Sequence, residues 1–169
     1  MNVRIGVLTL SDKGARGERI DTSGAAIREL VGRIGGEVRR YEIIPDEADL
    51  IAARLVAWAD SNELDVILTT GGTGLSSRDV TPGATQSVLD YEVPGIAEAL
   101  RAEGLRHTPM AMLSRAVAGV RGRTLIVNLP GSERAVRENL TILLPVLGHA
   151  VETLRDQAGD HTAGPAERG

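Results

Sequence analysis

Short apolar runs alternate along this chain with stretches in which apolar residues recur at helical spacing. Runs typical of buried strands cover residues 3–10, 38–44, 65–69 and 125–128,. Between them lie helical patterns, of which residues 48–59 are a clear example,. Strands separated by helices form a mostly parallel sheet that helices cover on both faces. The sequence therefore predicts an α/β protein, a three-layer αβα sandwich with a mostly parallel sheet.

The pattern is less regular in the second half of the chain. Residues 110–120 and 123–128 flank an Arg-Gly pair at 121–122, which suits the turn of a small β-hairpin,. A last helix is predicted from about Ser132. We expect Pro145 to interrupt or kink that helix, because proline has no backbone N–H to donate,.

Length and composition indicate one domain followed by a tail. The chain has 169 residues, which is enough for one domain with a core of its own,. From Asp156 onward the sequence is rich in glycine, proline and charge, and it has no apolar period. We therefore predict a domain at residues 1–155 and a disordered tail at 156–169.

Composition also argues against several classes of function. The chain has no cysteine, which excludes thiol catalysis and thiolate metal sites, and its three histidines lack the spacing of a zinc site,. A net charge of −4 without a basic cluster argues against nucleic acid as a partner,. Residues 3–8 lead directly into a strand, with no apolar signal segment or membrane span,. We therefore expect a cytoplasmic protein with no membrane partner.

A turn rich in glycine and threonine follows the third predicted strand. It reads Thr-Thr-Gly-Gly-Thr-Gly at residues 69–74, and Asp79 stands shortly before a helix start at Thr81-Pro82. Glycines let backbone N–H groups approach an anion, and the carboxylate beside them suggests a phosphate-bearing ligand held with a divalent cation. A tight turn that merely needs glycine is the alternative, because neither standard nucleotide-binding fingerprint is present,.

Four loops are predicted to meet at one edge of the sheet. Ligands of open α/β sheets bind beyond the carboxyl ends of the strands. The loops that follow the four predicted strands are residues 11–14, 45–47, 71–79 and 129–132. The sequence therefore places a candidate ligand site where these loops converge.

Five stretches of these loops and their surroundings together resemble a known family. They are Thr-Thr-Gly-Gly-Thr-Gly at 69–74, Arg-Asp-Val-Thr-Pro at 78–82, Val-Pro-Gly-Ile at 93–96, Met-Leu-Ser-Arg at 112–115 and Asn-Leu-Pro-Gly-Ser at 128–132. In this order they resemble the molybdopterin-binding family of molybdenum cofactor biosynthesis, and within it the MogA/MoaB-type molybdopterin adenylyltransferases. Five motifs in register are far more specific than any one of them.

The resemblance covers roughly residues 3–150 and implies an activity. In this family the terminal phosphate of molybdopterin is joined to AMP from Mg-ATP, and pyrophosphate is released. The resemblance thus implies Mg²⁺ as cofactor, ATP and molybdopterin as substrates, and a homo-oligomer, either a trimer or a hexamer. It also implies a molybdenum-insertion protein as a candidate partner.

The resemblance further implies which residues form the site. Asp46 and Asp79 match the acids tied to magnesium and catalysis. The positions matched to substrate binding are Ser11, Asp12, Thr70, Gly71, Gly72, Thr73, Gly74, Ser114, Asn128, Pro130, Gly131 and Ser132. Among these, Ser114 matches a position that contacts the pterin.

Several of these residues have simpler interpretations that the sequence leaves open. The two acids are also typical turn formers, and Ser132 is also a typical helix N-cap. Arg78 suits either a phosphate or a surface acid. At the level of the whole protein, a non-catalytic carrier that only binds molybdopterin is the alternative to the enzyme.

Overall fold

The computed structural model describes residues 2–160, with side chains described through residue 156. A single six-stranded sheet forms its centre. The strands are β1 (Arg4–Leu10), β2 (Glu37–Ile44), β3 (Val66–Thr70), β4 (Tyr91–Glu92), β5 (Ala118–Arg121) and β6 (Thr124–Leu129). The helices are α1 (Asp12–Ala15), α2 (Thr22–Arg33), α3 (Ala48–Asp60), α4 (Thr81–Gln86), α5 (Pro94–Leu105) and α6 (Glu133–Asp160), and a 3-10 helix covers Pro109–Leu113.

The sheet has the order β2-β1-β3-β6-β5-β4 and is parallel in its first four strands. Strands β5 and β6 pair antiparallel around Gly122, whose φ is positive, and β4 extends this edge. The predicted mostly parallel sheet and small hairpin are therefore confirmed. Because the four parallel strands are neighbours, their carboxyl ends form one continuous edge.

Two apolar layers cover the sheet, one on each face. Alternating residues of a strand point to opposite faces, so Ile5 and Val7 pack under α2 and α6, whereas Leu8 packs under α3. Trp58 of α3 is fully buried on the second face. It lies directly over Gly6, where a Cβ would be 2.9 Å from its ring. The three-layer arrangement predicted from the sequence is therefore correct.

Two predicted elements differ from the structure. Residues 110–117 do not form a hairpin strand, because Thr108 caps a 3-10 helix there by accepting the N–H of Met110. Helix α6 is also not interrupted at Pro145. The proline lies on the exposed side of the helix, and the buried residues Leu143 and Leu147 keep both halves packed on the core.

The end of the domain remains a prediction. Helix α6 runs to Asp160 and so includes the first five residues of the predicted tail. Residues 161–169 lie outside the described residues. Within residues 2–160 no helix is long and apolar enough to cross a membrane.

An ion cluster fastens the opposite edge of the sheet. The carboxylate of Asp65, whose side chain is 3% exposed, accepts bonds from Arg4 at 2.8 Å and Arg155 at 2.6 Å. Burial raises the pKa of Asp65, but the hydrogen bonds from Arg4 and Arg155 outweigh it and hold the pKa well below its usual range. The cluster therefore ties the first strand to the last helix.

We expect Asp65→Asn to lower the free energy of unfolding by about 3 kcal/mol, because two guanidinium groups lose a buried partner. The depressed pKa means that this stability is present above the unfolded-state pKa of about 4 and is lost as pH falls. Urea unfolding between about pH 3 and pH 7 measures both effects. In the exposed Asp60–Arg121 pair, Asp60→Asn should cost less than about 1 kcal/mol. Equal losses in the two variants would contradict the prediction.

Candidate active site

The four predicted segments meet at the carboxyl edge of the parallel strands, although residues 12–14 of the first belong to the short helix α1 and not to a loop. Backbone bonds join them in pairs: the N–H of Ser11 donates to the carbonyl of Ile44 at 3.0 Å, and that of Gly71 to the carbonyl of Leu129 at 3.3 Å. The hydroxyl of Thr70 donates to the carbonyl of Pro130 at 2.6 Å. The convergence predicted from the sequence is thus confirmed.

The turn after β3 requires glycine for steric reasons. Gly71 and Gly72 have φ values of 101° and 66°, a region that L side chains rarely adopt. A Cβ on Gly71 would overlap the carbonyl oxygen of Leu10, and one on Gly72 would overlap the hydroxyl of Thr81. That hydroxyl donates to the carbonyl of Gly71 at 2.9 Å. One side of the turn therefore packs against Leu10 and Thr81, and the other side is open.

Arg115 fixes the rest of this loop. Its N–H donates to the carbonyl of Thr73 at 2.9 Å, and its guanidinium donates to the carbonyls of Gly74 at 2.7 Å and Asp79 at 2.5 Å. In the sequence, Arg115 is visible only as the last residue of the motif at 112–115, which assigns it no role. Its partners are 36 to 42 residues away in the chain, so no local pattern reveals the role.

Asp12 and Asp46 hold each other in place. The N–H of Asp46 donates to the carboxylate of Asp12 at 3.0 Å, and the N–H of Asp12 donates to that of Asp46 at 3.1 Å. Arg78 donates to both carboxylate oxygens of Asp12, at 2.9 and 3.0 Å. Arg78 thus pairs with an acid, the second of its two interpretations. Both oxygens of the Asp12 carboxylate therefore already accept hydrogen bonds from groups within the protein.

Asp46 and Asp79 line the same cavity, which we call the polar cavity. It has a volume of about 300 Å³ and is also lined by Ser11, Asp21 and Gly72. Burial raises the pKa of Asp46, and the negative charges of Asp12 and Asp79 add to this effect. The site therefore favours either a proton or a cation beside Asp46.

The carboxylates of Asp46 and Asp79 are suitable ligands for Mg²⁺, which binds one or two carboxylates together with substrate oxygens and water,. The carboxylates lie against the glycine turn: a Cβ on Gly72 would be 3.1 Å from Asp46, and one on Gly74 would be 2.9 Å from Asp79. Among the side chains that the structure describes, those of residues 2–156, no group of three or more His, Cys, Asp or Glu could hold a metal alone. Ligand oxygens are therefore needed to complete a cation site.

A second cavity, which we call the apolar cavity, lies on the other side of the glycine turn. Its volume is about 260 Å³, and its walls include Leu100, Met110, Leu113, Ser114 and Asn139. Gly71 and Gly72 line the polar cavity, whereas Thr73 and Gly74 line the apolar one. The turn is therefore the wall between the two cavities.

Most of the predicted site residues line one of the two cavities, and three of them line neither. The polar cavity is lined by Ser11, Asp46, Thr70, Gly71, Gly72, Asp79 and Gly131. The apolar cavity is lined by Thr73, Gly74, Ser114 and Pro130. Asp12, Asn128 and Ser132 line neither cavity.

Asn128 and Ser132 have roles within the framework instead. Asn128 is fully buried, donates to the hydroxyls of Thr69 at 2.9 Å and Thr85 at 3.0 Å, and accepts the N–H of Val117. Ser132 accepts the N–H of Ala135 at 3.2 Å, as a helix N-cap does,. The geometry gives no support for direct substrate contact by either side chain.

Asp21, which stands at the N-cap position of α2, is also a residue of the polar cavity. It does cap α2 through the N–H of Gly24 at 2.9 Å, but it also accepts the hydroxyl of Thr9 at 2.6 Å and that of Tyr41. Burial and the bond to Asp21 raise the pKa of Tyr41 to about 12. The capping pattern hides this second role, since the partners come from β1 and β2.

Comparison with known proteins identifies the family. Residues 6–149 match the family model described as "Probable molybdopterin binding domain". One similar solved structure is the crystal structure of the molybdopterin biosynthesis enzyme MoaB from Thermus thermophilus, whose sequence is 58% identical to this one. The two structures match over 91% of this chain and 97% of the MoaB chain, with a TM-score of 0.86.

Curated relatives give the same result. The molybdopterin adenylyltransferase of Helicobacter pylori strain J99 is 40% identical over 90% of this chain and 88% of its own length. The molybdenum cofactor synthesis protein cinnamon of Drosophila melanogaster is 44% identical over 92% of this chain, which spans only 26% of that protein. The chain therefore belongs to the molybdopterin-binding family of molybdenum cofactor biosynthesis.

Proposed function

We propose that this protein transfers an adenylyl group from Mg-ATP to the terminal phosphate of molybdopterin. One observation carries the proposal: the carboxylates of Asp46 and Asp79 line a polar cavity that adjoins an apolar cavity across the glycine turn. A pure carrier has less need of two acids in one cavity. The activity named for the Helicobacter pylori relative supports the same reaction.

The reaction balances without any group supplied by the protein. An oxygen of the molybdopterin phosphate forms a bond to the α-phosphorus of ATP. The bond from that phosphorus to the bridging oxygen breaks, and pyrophosphate leaves with the electron pair. The attacking phosphate is already an anion near neutral pH, so no strong general base is required. Catalysis then depends on holding two anions in line and on neutralising charge.

Asp46 and Asp79 are the residues that would hold Mg²⁺. When bound, the cation neutralises the negative charge that develops on the leaving pyrophosphate. Asp12 and Arg78 hold the loop of Asp46, and Arg115 holds the loop of Asp79. These contacts preorganise the two carboxylates before substrate arrives.

The two cavities suit the two substrates. The polar cavity, with hydroxyls and carboxylates, suits the nucleotide and its phosphates. The apolar cavity, with Ser114 in its wall, suits the pterin ring. In this arrangement the phosphate of molybdopterin lies at the glycine turn, whose backbone N–H groups are donors for anions.

The oligomeric state is a further part of the proposal. Met110 and Met112 are 64% and 69% exposed on the 3-10 helix, which is unusual for side chains of this size and apolarity,. Such a surface is consistent with the predicted homo-oligomer, a trimer or a hexamer. Light scattering after size-exclusion chromatography measures the state directly. A molybdenum-insertion protein as partner also stays a prediction.

A transfer assay with molybdopterin, ATP and magnesium tests the function. Pyrophosphate release and adenylylated pterin are followed by chromatography, and each component is omitted in turn. Product that forms only with all three components supports the enzyme. Tight pterin binding without product would instead support a carrier, and the two acids would then need another explanation.

We expect Asp46→Asn to raise the magnesium concentration for half-maximal transfer by at least about tenfold, because a carboxylate ligand is lost. Asparagine still accepts the N–H of Asp12. Because burial raises the folded-state pKa of Asp46, its ionised form costs stability as pH rises, so the unfolding midpoint at neutral pH should not fall. Magnesium titration and thermal unfolding measure the two effects. Glu47→Gln, at the exposed neighbouring position, is the control. If Asp46→Asn left the magnesium concentration for half-maximal transfer unchanged, or if Glu47→Gln raised it equally, Asp46 would not be a magnesium ligand.

A further inference from the structure

Two polar side chains in the wall of the apolar cavity make no hydrogen bond to any described residue. Asn139 on α6 and Thr73 in the glycine turn are each only 7% exposed. All fully buried side-chain polar atoms of the described residues have a hydrogen-bond partner. The carboxamide of Asn139 and the hydroxyl of Thr73 therefore keep contact with solvent, and the cavity that both residues line is the open space beside them.

The position of Asn139 is one where an apolar residue would pack better. Its helical neighbours Val136, Leu140 and Leu143 are fully buried in the core under the sheet. A polar group in such a place is costly when nothing bonds to it. Departures of this kind from the local packing rule are typical of functional positions.

We propose that Asn139 is a specificity-determining residue that hydrogen-bonds the polar edge of the pterin ring of the substrate, with the hydroxyl of Thr73 as a second contact. The inference rests on the proposed function, in which the apolar cavity takes the ring. A carboxamide offers both a donor and an acceptor, and a pterin presents both along its pyrimidine edge. An apolar cavity of about 260 Å³ with few polar groups suits such a flat ring,.

The charges of the cavity favour a neutral ring over an anion. Arg101 donates to the carbonyl of Ala116 at 2.7 Å, and Glu138 accepts from Arg134 at 2.9 Å. The Arg101 guanidinium thus has a partner within the protein, and the Glu138 carboxylate is paired with Arg134, so both charges of the wall are already partly compensated. Asn139 and Thr73 therefore offer neutral hydrogen bonds to a neutral ligand.

The test compares the 169-residue wild-type chain with its Asn139→Leu variant, using 6-hydroxymethylpterin as the probe. We expect pterin affinity, measured by fluorescence titration, to fall by at least about tenfold, the effect of losing about one good hydrogen bond. The unfolding temperature should stay equal or rise, since leucine loses no bond within the protein. Thr141→Val, at an exposed position of the same helix, is the control and should bind the probe as the wild type does.

Kinetics separate this inference from the proposed function. In the transfer assay Asn139→Leu should raise KM for molybdopterin and leave KM for ATP unchanged. Equal pterin binding by wild type and variant, no binding by wild type at millimolar probe, or equal rises in both KM values would each overturn the role of Asn139. Weakened pterin binding in the variant, with no transfer by either protein, would support it and reject the transferase activity instead.

Discussion

Replacing Asp79 with asparagine is expected to slow adenylyl transfer by at least about 100-fold, while molybdopterin affinity stays within about twofold of the wild type. The carboxylate accepts the N–H of Ser76 at 2.9 Å, and an asparagine oxygen still accepts that bond. The loop therefore keeps its turn and loses only a negative charge beside the polar cavity. Single-turnover transfer and pterin titration measure the two quantities separately.

Asp90→Asn is the matched control for this experiment. Asp90 also accepts a backbone N–H, that of Gly122 at 2.6 Å, but it lies beside the β5–β6 hairpin and lines neither cavity. Its variant should transfer at the rate of the wild type. A variant of Asp79 that lost pterin affinity and still completed single-turnover transfer would show that Asp79 binds the pterin rather than supports the reaction.

The arginines of the recognised motifs help to explain why two acids would need an added cation. Arg78 is bound by Asp12, and Arg115 is bound by three backbone carbonyls of the glycine turn and the Asp79 loop. Both positive charges thus stabilise loops rather than point at a ligand. ATP and molybdopterin phosphates would add further negative charge to a cavity that already contains Asp21, Asp46 and Asp79. Arg19 also lines this cavity, but one guanidinium does not balance three carboxylates and the added phosphates. Magnesium is the natural source of further positive charge.

Local patterns were sufficient to predict the elements that carry the site. Strand β3 is a continuous apolar run that ends in the glycine turn, and this order alone places the turn at the carboxyl edge of the sheet. The predicted placement of Asp46 and Asp79 follows from the same rule, because each stands in a loop after a parallel strand. In the structure both acids line one cavity.

Roles that depend on distant partners were beyond the sequence. Asn128 and Asn139 are both polar residues in apolar surroundings, and nothing local distinguishes them. The structure does: Asn128 bonds to Thr69 and Thr85 inside the core, whereas Asn139 has no such partner among the described residues and lines a cavity. The 3-10 helix was missed for a different reason. Its capping bond from Met110 to Thr108 is local, but it involves a single pair of residues and leaves no repeated pattern in the sequence.

Gly71→Ala is expected to lower the free energy of unfolding by about 2 to 5 kcal/mol. At a φ of 101° an alanine is strained by about 1 to 2 kcal/mol,. Its Cβ would also overlap the carbonyl oxygen of Leu10. Because that oxygen belongs to the backbone of a buried strand, it cannot move aside as a flexible side chain does, and the overlap adds about 1 to 3 kcal/mol. Urea unfolding measures the total.

Two other glycines separate the contributions. Gly17 has a φ of 74° with open space around it, so Gly17→Ala should show the strain of about 1 kcal/mol alone,. Gly83 has neither a positive φ nor a neighbour within 4 Å, and Gly83→Ala should be neutral or slightly stabilising,. If Gly71→Ala were no less stable than Gly17→Ala, the turn would have to be free to move away from β1. The glycine turn could not then be the fixed wall between the two cavities, and the proposed alignment of two anions across it would lose its physical basis.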